Sequence, residues 1–280
     1  MKDFLLKTLI FLLITIGIFH VKSFYLLQKN KYTQKVLGSE VYVSIEKSHK
    51  KSSAKKVLLG DSVGKQLFDN TENNDTINSL ACNQAISMAG QYVLLHNYIA
   101  AGNKIDTAYI CFTPFSFENN LDKIFTYNYF VKPFYRDENA ALLTKTARRQ
   151  VEKIPYSGLA WYPCILTNNW SPDFKSTDKV NYTFLSPIST VYLHKMSDLA
   201  KAHHFKLILI SALLSNQKKK AVEALNKREI KNNHLESEFA GFFESIVYLE
   251  ESNFVDGTHL KHPEQFQRSF KNRLTKPPAF

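Results

Sequence analysis

Val57-Leu58-Leu59-Gly60-Asp61-Ser62-Val63-Gly64 is the stretch on which the fold turns. Three apolar residues run into Gly-Asp-Ser, and a helix-like run opens directly behind them. A short apolar run without polar alternation suits a strand buried on both faces. A strand that stops at a Gly and a Ser and turns into a helix holds a hydroxyl at the carboxyl edge of a sheet. Open α/β folds place their ligands at such edges. Asp61 and Ser62 are also good N-caps, so the same residues read as a strand followed by a capped helix.

Further strand-like runs flank this one: Ser79 to Ala85, Thr107 to Phe112, Phe205 to Ser211 with Lys206-Leu207-Ile208-Leu209-Ile210 at its centre, and Ser245 to Leu249. Helical patterns separate them, over Gly64 to Asn70, Tyr92 to Ala101, Ile188 to His203, Ala221 to Lys231 and Pro263 to Leu274. Five apolar strands alternating with helices predict an α/β fold: a three-layer α/β/α sandwich around a mostly parallel, five-stranded sheet.

Near the C-terminus stands Val255-Asp256-Gly257-Thr258-His259-Leu260. An Asp three residues before a His can orient the imidazole, and the His can then serve a Ser as base. Gly-Asp-Ser early and Asp-Gly-x-His-Leu late resemble the pattern of the SGNH, or GDSL, hydrolases, from about Val57 to the C-terminus. The resemblance implies a flavodoxin-like strand order, in which the loops after the first and last strands meet. It implies Ser62 as nucleophile, His259 as general base and Asp256 as its partner.

The same resemblance implies an oxyanion hole. The family carries a Gly in the loop after the second strand, and Gly90 is the candidate here, although it stands equally well at the start of a helix. After the third strand the family shows Gly-x-Asn-Asp. This chain has Thr113-Pro114-Phe115-Ser116-Phe117-Glu118-Asn119-Asn120 instead. Ser116 or Asn119 would have to substitute, or either is a loop cap. Losing one oxyanion donor costs roughly 10²–10³ in turnover, so an altered hole implies slow chemistry rather than none.

The N-terminus reads differently. An apolar run from Leu9 to Phe19, relieved only by Thr15 and Gly17, follows Lys2 and Lys7. A span needs about 20 apolar residues. No small-x-small cleavage site follows Phe19, so 1–22 is expected to be an uncleaved signal anchor, with a cleaved signal peptide as competitor. The polar, Lys- and Ser-rich stretch 23–56 reads as a stalk, and 57–280 as the SGNH-like domain with its body in the periplasm or cell exterior.

Within that domain, about 118–187 fits no βα unit. It holds Phe125, Tyr127, Tyr129, Phe130, Phe134, Tyr135, Tyr156, Trp161, Tyr162, Trp170 and Phe174, including both Trp of the chain. It reads as an insertion over the catalytic edge. Its aromatics either stack on sugar rings or form a small core of their own.

Composition excludes several classes. The net charge is +11, from 36 Lys and Arg against 25 Asp and Glu. The Lys residues are scattered apart from Lys218-Lys219-Lys220, and no nucleic-acid motif accompanies them. Three Cys without tight spacing form neither a zinc site nor a disulfide scaffold. Cys82 and Cys111 read as buried thiols, with a bridge between them as the alternative outside the cytosol. His203-His204 reads as an exposed helix end rather than a metal site. Neither metal nor cofactor is expected.

Taken together, the residues and the resemblance point to a serine hydrolase-type enzyme acting on O-acyl esters of a cell-envelope glycan or another envelope ester. It would deacetylate or transfer the acetyl group. The alternative is a catalytically silent SGNH-like module that binds or presents a glycan.

Overall fold

The structure, a computed structural model, describes residues 1–30, 37–72, 75–135, 137–160, 169–174 and 184–275. Trp161, Tyr162, Cys164 and the expected helix break at Asn73-Asn74 lie outside the described residues.

The chain is mixed α/β. Its main sheet has four strands, β1 (Lys56–Gly60), β2 (Ile77–Ser79), β3 (Thr107–Phe112) and β4 (Lys206–Ser211), in the order β2-β1-β3-β4. Every pairing is parallel, and Leu59 lies opposite Ile110 while Gly60 lies opposite Cys111. The apolar runs of β1 and β3 are continuous because both faces are covered, whereas β4, at the edge of the sheet, is half-buried. Val57, Leu59, Ala108, Ile110, Phe112 and Leu209 join the larger core cluster, shared with α4 (Ser87–Ala100) and α5 (Pro187–His203). The alternate residues Leu58, Tyr109 and Cys111 join a second cluster with α3 (Ser62–Leu67) and α6 (Glu264–Thr275). Period-2 alternation thus assigns each strand residue to one of two cores.

The expected fifth strand is corrected. The segment from Ser245 does not lengthen the main sheet. Only β6 (Tyr248–Leu249) is extended, and it pairs in parallel with β5 (Leu214–Ser215), just beyond the end of β4. Ser245 is held in a turn, its N–H on Gly241 O at 3.0 Å. Its hydroxyl accepts the Ser211 N–H at 2.8 Å, on the edge where another strand would pair. The second strand is also shorter than expected and ends at Ser79, because the chain beyond it drops into a 3₁₀ turn at Gln84–Ile86.

The stalk is corrected in part. Helix α2 (Ser39–Ser48) packs on α4, with Val41, Ser44 and Ser48 fully buried. The packed body therefore begins by Ser39, ahead of Val57. Ahead of it, α1 (Lys2–Asn30) contains a 21-residue apolar span, Lys2–Lys22, long enough to cross a membrane, and none of the span is buried. At 1.5 Å per residue it would cover roughly 30 Å.

The aromatic insertion divides. Tyr127, Phe130 and Phe134 are fully buried, whereas Phe125, Tyr156 and Trp170 are exposed. The buried three join the larger core cluster and do not form a core of their own. Cys82 and Cys111 are free thiols, and the expected alternative of a bridge between them does not form. Cys82 stands beyond β2 and Cys111 on β3, with β1 between.

Candidate active site

The site stands where the strand order changes direction, at the carboxyl end of β1 between β2 and β3. Strand β1 ends at Gly60, and Ser62 is the first residue of α3. Asp61, between them, is the N-cap: its Oδ1 accepts the N–H groups of Val63 at 2.9 Å and Gly64 at 3.2 Å. The two readings of Gly-Asp-Ser therefore fall on neighbouring residues, Asp61 capping the helix and Ser62 facing the cleft. Two glycines bring α3 close to β3. A Cβ on Gly60 would stand 2.7 Å from Cys111 O, and one on Gly64 3.0 Å from the same oxygen.

Ser62 Oγ lies 2.9 Å from His259 Nε2. On the far side of the ring, Nδ1 meets Asp256 Oδ2 at 2.7 Å. Asp256 Oδ1 also accepts the His259 N–H at 2.7 Å, the Thr258 N–H at 3.0 Å and the Thr258 hydroxyl at 2.9 Å. Partial burial alone would raise the Asp256 carboxyl. These hydrogen bonds from His259 and Thr258 outweigh it and hold the carboxyl well below the usual range. The His259 and Asp256 side chains remain 37% and 52% exposed, so the pair sits on the rim of the cleft.

The loop that carries them is closed on itself. Val255 N–H donates to His259 O at 2.7 Å, and Phe254 and Leu260 form an antiparallel bridge. Gly257 turns it at φ +78°, a left-handed conformation that favours glycine. Ser215 N–H holds Gly257 O at 3.2 Å, and the Lys218 stem lies over the Gly257 Cα.

Two side chains outside the quoted motifs register this machinery. Gln66, on α3, accepts the Leu260 N–H at 3.1 Å and so ties the serine's helix to the histidine's loop. Gln91, fully buried on α4, brackets Gly60, its Oε1 accepting Gly60 N–H at 3.1 Å and its Nε2 donating to Gly60 O at 2.8 Å. A Gln inside the otherwise apolar run Met88 to Leu95 was the available signal, because a buried amide needs partners.

The expected oxyanion residues are redistributed. Gly90 is corrected: it lies in the first turn of α4, away from the cleft, where a Cβ would come 2.6 Å from the Ile86 side chain. Its absent side chain lets the Gln84–Ile86 turn fold back on the helix. Ser116 is corrected too. Its buried hydroxyl donates to Asp61 Oδ2 at 2.5 Å and pairs with the Thr113 hydroxyl at 2.8 Å. Asn119 does line the cleft, but its Nδ2 donates to Gln84 O at 2.6 Å and its Oδ1 accepts the Leu121 N–H at 3.0 Å. It ties the loop after β3 to the turn after β2. Ser62 itself supplies a donor. As the first residue of α3 its N–H has no partner within the helix, and none is found for it among the described residues.

Beneath the serine, burial raises the Asp61 carboxyl, and hydrogen bonds from Ser116, Gly64, Val63 and Thr113 oppose that rise. The nearby thiols are inert: burial pushes Cys82 up to about 12 and Cys111 well above its ordinary value.

The cleft in front of Ser62 and His259 has a volume of about 510 Å³. Phe115, Phe125 and Tyr129 line it together with Asn83, Gln84, Glu118 and Lys123. Burial raises the Glu118 carboxyl, with Lys123 opposing and Glu229 adding to the rise. Among the described residues no group of three or more His, Cys, Asp and Glu could hold a metal ion.

No described protein family and no curated protein matches the chain. Among solved structures, a Streptococcus pneumonia protein provisionally described as a platelet activating factor aligns with 89% of this chain and 96% of its own. Its identity is 12% and the TM-score 0.36, a likeness too slight to carry an argument.

Proposed function

We propose that the protein is a serine-dependent, ester-handling enzyme of SGNH type. The observation that carries this reading is the continuous chain Ser62 Oγ–His259–Asp256, with links of 2.9 and 2.7 Å at the mouth of a cleft. Ser62 Oγ attacks the acyl carbonyl while its proton passes to His259 Nε2. Asp256 holds the ring and stabilises the imidazolium. The Ser62 N–H would donate to the forming oxyanion. Collapse of the tetrahedral intermediate expels an alkoxide, which takes the proton from Nε2 and leaves an acyl-serine. Water, or a sugar hydroxyl, then gives its proton to the same nitrogen and takes the acyl group, and Nε2 returns the proton to the departing Ser62 Oγ.

The aromatic wall of Phe115, Phe125 and Tyr129 beside polar Asn83, Gln84 and Glu118 suits a sugar, which offers an apolar ring face and hydroxyl edges. With the apolar N-terminal helix as an anchor, the body would lie in the periplasm or cell exterior, and the substrate would be an O-acylated envelope glycan or a related ester.

A second reading, a silent glycan-binding module, draws on the oxyanion side. Gly90 lies outside the cleft, and Asn119 spends one amide hydrogen on Gln84. A fluorophosphonate probe and a short-chain aryl ester separate the two. The enzyme labels and turns over, and Ser62→Ala abolishes both without unfolding. A folded wild-type protein inert to both would favour the module.

A further inference from the structure

We propose that Tyr156 and Trp170 form a membrane-interface seat on which the domain rests. Both rings are exposed, at 59% and 47%, and they pair at a centroid distance of 5.8 Å. Leu159 and Leu37 add exposed apolar surface, each at 43%. The tip Pro155-Tyr156-Ser157-Gly158-Leu159 is apolar where a surface loop is usually polar.

These rings are built in place. Tyr156 stands at φ +60°, a left-handed conformation unfavourable to a side chain of its bulk. Tyr127 OH holds the Tyr156 carbonyl at 3.3 Å. The Tyr127 ring meets Trp170 edge-on at 5.7 Å, and the buried Lys132 donates to Trp170 O at 2.9 Å. A strained backbone and a buried lysine hold two aromatic rings that face outward.

The covalent chain says what they face. Leu37 N–H donates to Asn169 Oδ1 at 2.8 Å, so the segment arriving from the apolar helix joins the body beside Trp170. Helix α1 ends at Asn30. The eight helical residues past the end of the apolar span at Lys22 add about 12 Å, and seven Cα steps at no more than about 3.6 Å each add roughly 25 Å. If α1 spans a bilayer, this face is tethered within roughly 37 Å of its surface. Trp and Tyr concentrate at that surface, where an apolar ring and a polar N–H or O–H are both satisfied. Tyr129, on the same turn, Tyr127–Val131, lines the cleft, so the seat would hold the site close to the headgroups.

The proposal rests on the anchor reading, and the test separates the two. Full-length Trp161→Phe protein, in which Trp170 is the sole indole, is reconstituted into phosphatidylcholine vesicles with or without brominated acyl chains. Trp161→Tyr serves if that variant does not fold. Flotation reports the anchor and Trp170 emission reports the seat. Flotation with severalfold quenching that persists at high salt is expected. Flotation without quenching, or with quenching lost at high salt, overturns the seat and leaves the anchor. Failure to float overturns both.

Discussion

At the scale of single residues, the site combines a rim-exposed Asp–His pair with a fully buried Asp. Asp256 accepts two N–H groups and a hydroxyl on one oxygen and faces His259 Nδ1 with the other. In Asp256→Asn the backbone bonds keep the amide oxygen, so the NH₂ turns toward Nδ1. That favours the tautomer with its proton on Nε2, which cannot accept from Ser62. Probe labelling should fall on the order of 10³–10⁴-fold, with the unfolding midpoint little changed. The Asp256 carboxyl is held low, so it stays ionised well into the acid range. The acid limb of the wild-type pH profile should therefore follow one proton, and a two-proton limb would contradict that assignment. Asp61 gives the opposite sign. Its folded-state carboxyl is raised by burial above the unfolded value of about 3.9. As pH rises from the unfolded toward the folded value, the unfolded chain loses its proton first, and stability falls. Asp61→Asn should remove that fall, as denaturant unfolding from pH 4 upward would measure.

Elements contribute through how closely they approach. Helix α3 reaches β3 because Gly60 and Gly64 carry no side chain. Gly60→Ala would place a Cβ 2.7 Å from a backbone oxygen that cannot yield. Overpacking of this kind costs about 1–3 kcal/mol. Because the displaced residue leads straight into Ser62, labelling should drop further than stability alone accounts for. Comparing thermal midpoints with labelling rates tests both parts. The turn Tyr127–Val131 and the loop at Trp170 meet through Lys132, whose ammonium is pushed down to about 8 by burial. Between about 8 and the unfolded value of about 10.4 the unfolded chain holds the proton and the folded one does not, so stability from this group rises with pH. Lys132→Met should lack that rise, worth about 3 kcal/mol on that interval. Unfolding at pH 7.5 and 10 in the two proteins would show it.

For the whole molecule, one exposed apolar helix precedes a body that begins by Ser39. As an uncleaved anchor, that helix would make the protein integral to a membrane. Protein from a membrane fraction should resist alkaline carbonate extraction and keep its N-terminal apolar segment on sequencing. A mature chain starting near Ser23 would make that segment a cleaved signal peptide, and the Tyr156–Trp170 seat would lose its tether.

Local chemistry was legible in the residues: the buried parallel strands at Val57 and Thr107, a further parallel strand at Lys206 that proves to be a half-buried edge, the helix turn at Gly-Asp-Ser, and the Asp-x-x-His spacing. Each depends on neighbours within a few residues, where sterics and side-chain reach decide the outcome. The sheet's extent was not legible. Whether Ser245 to Leu249 pairs along β4 depends on a Ser245 hydroxyl meeting Ser211, 34 residues away. Two of the three oxyanion candidates, Gly90 and Ser116, lie off the cleft for the same reason. Ser116 looked toward a cleft in sequence, but a buried carboxylate leaves no donor nearby unused, and Asp61 lies on another strand's end. Gln66 and Gln91 carry no motif, and only the packed structure sets their amides against Leu260 and Gly60. Ser62 and His259 are 197 residues apart, and no spacing rule spans that distance. The parallel sheet, its covering helices and a glycine-permitted close approach decide that they meet.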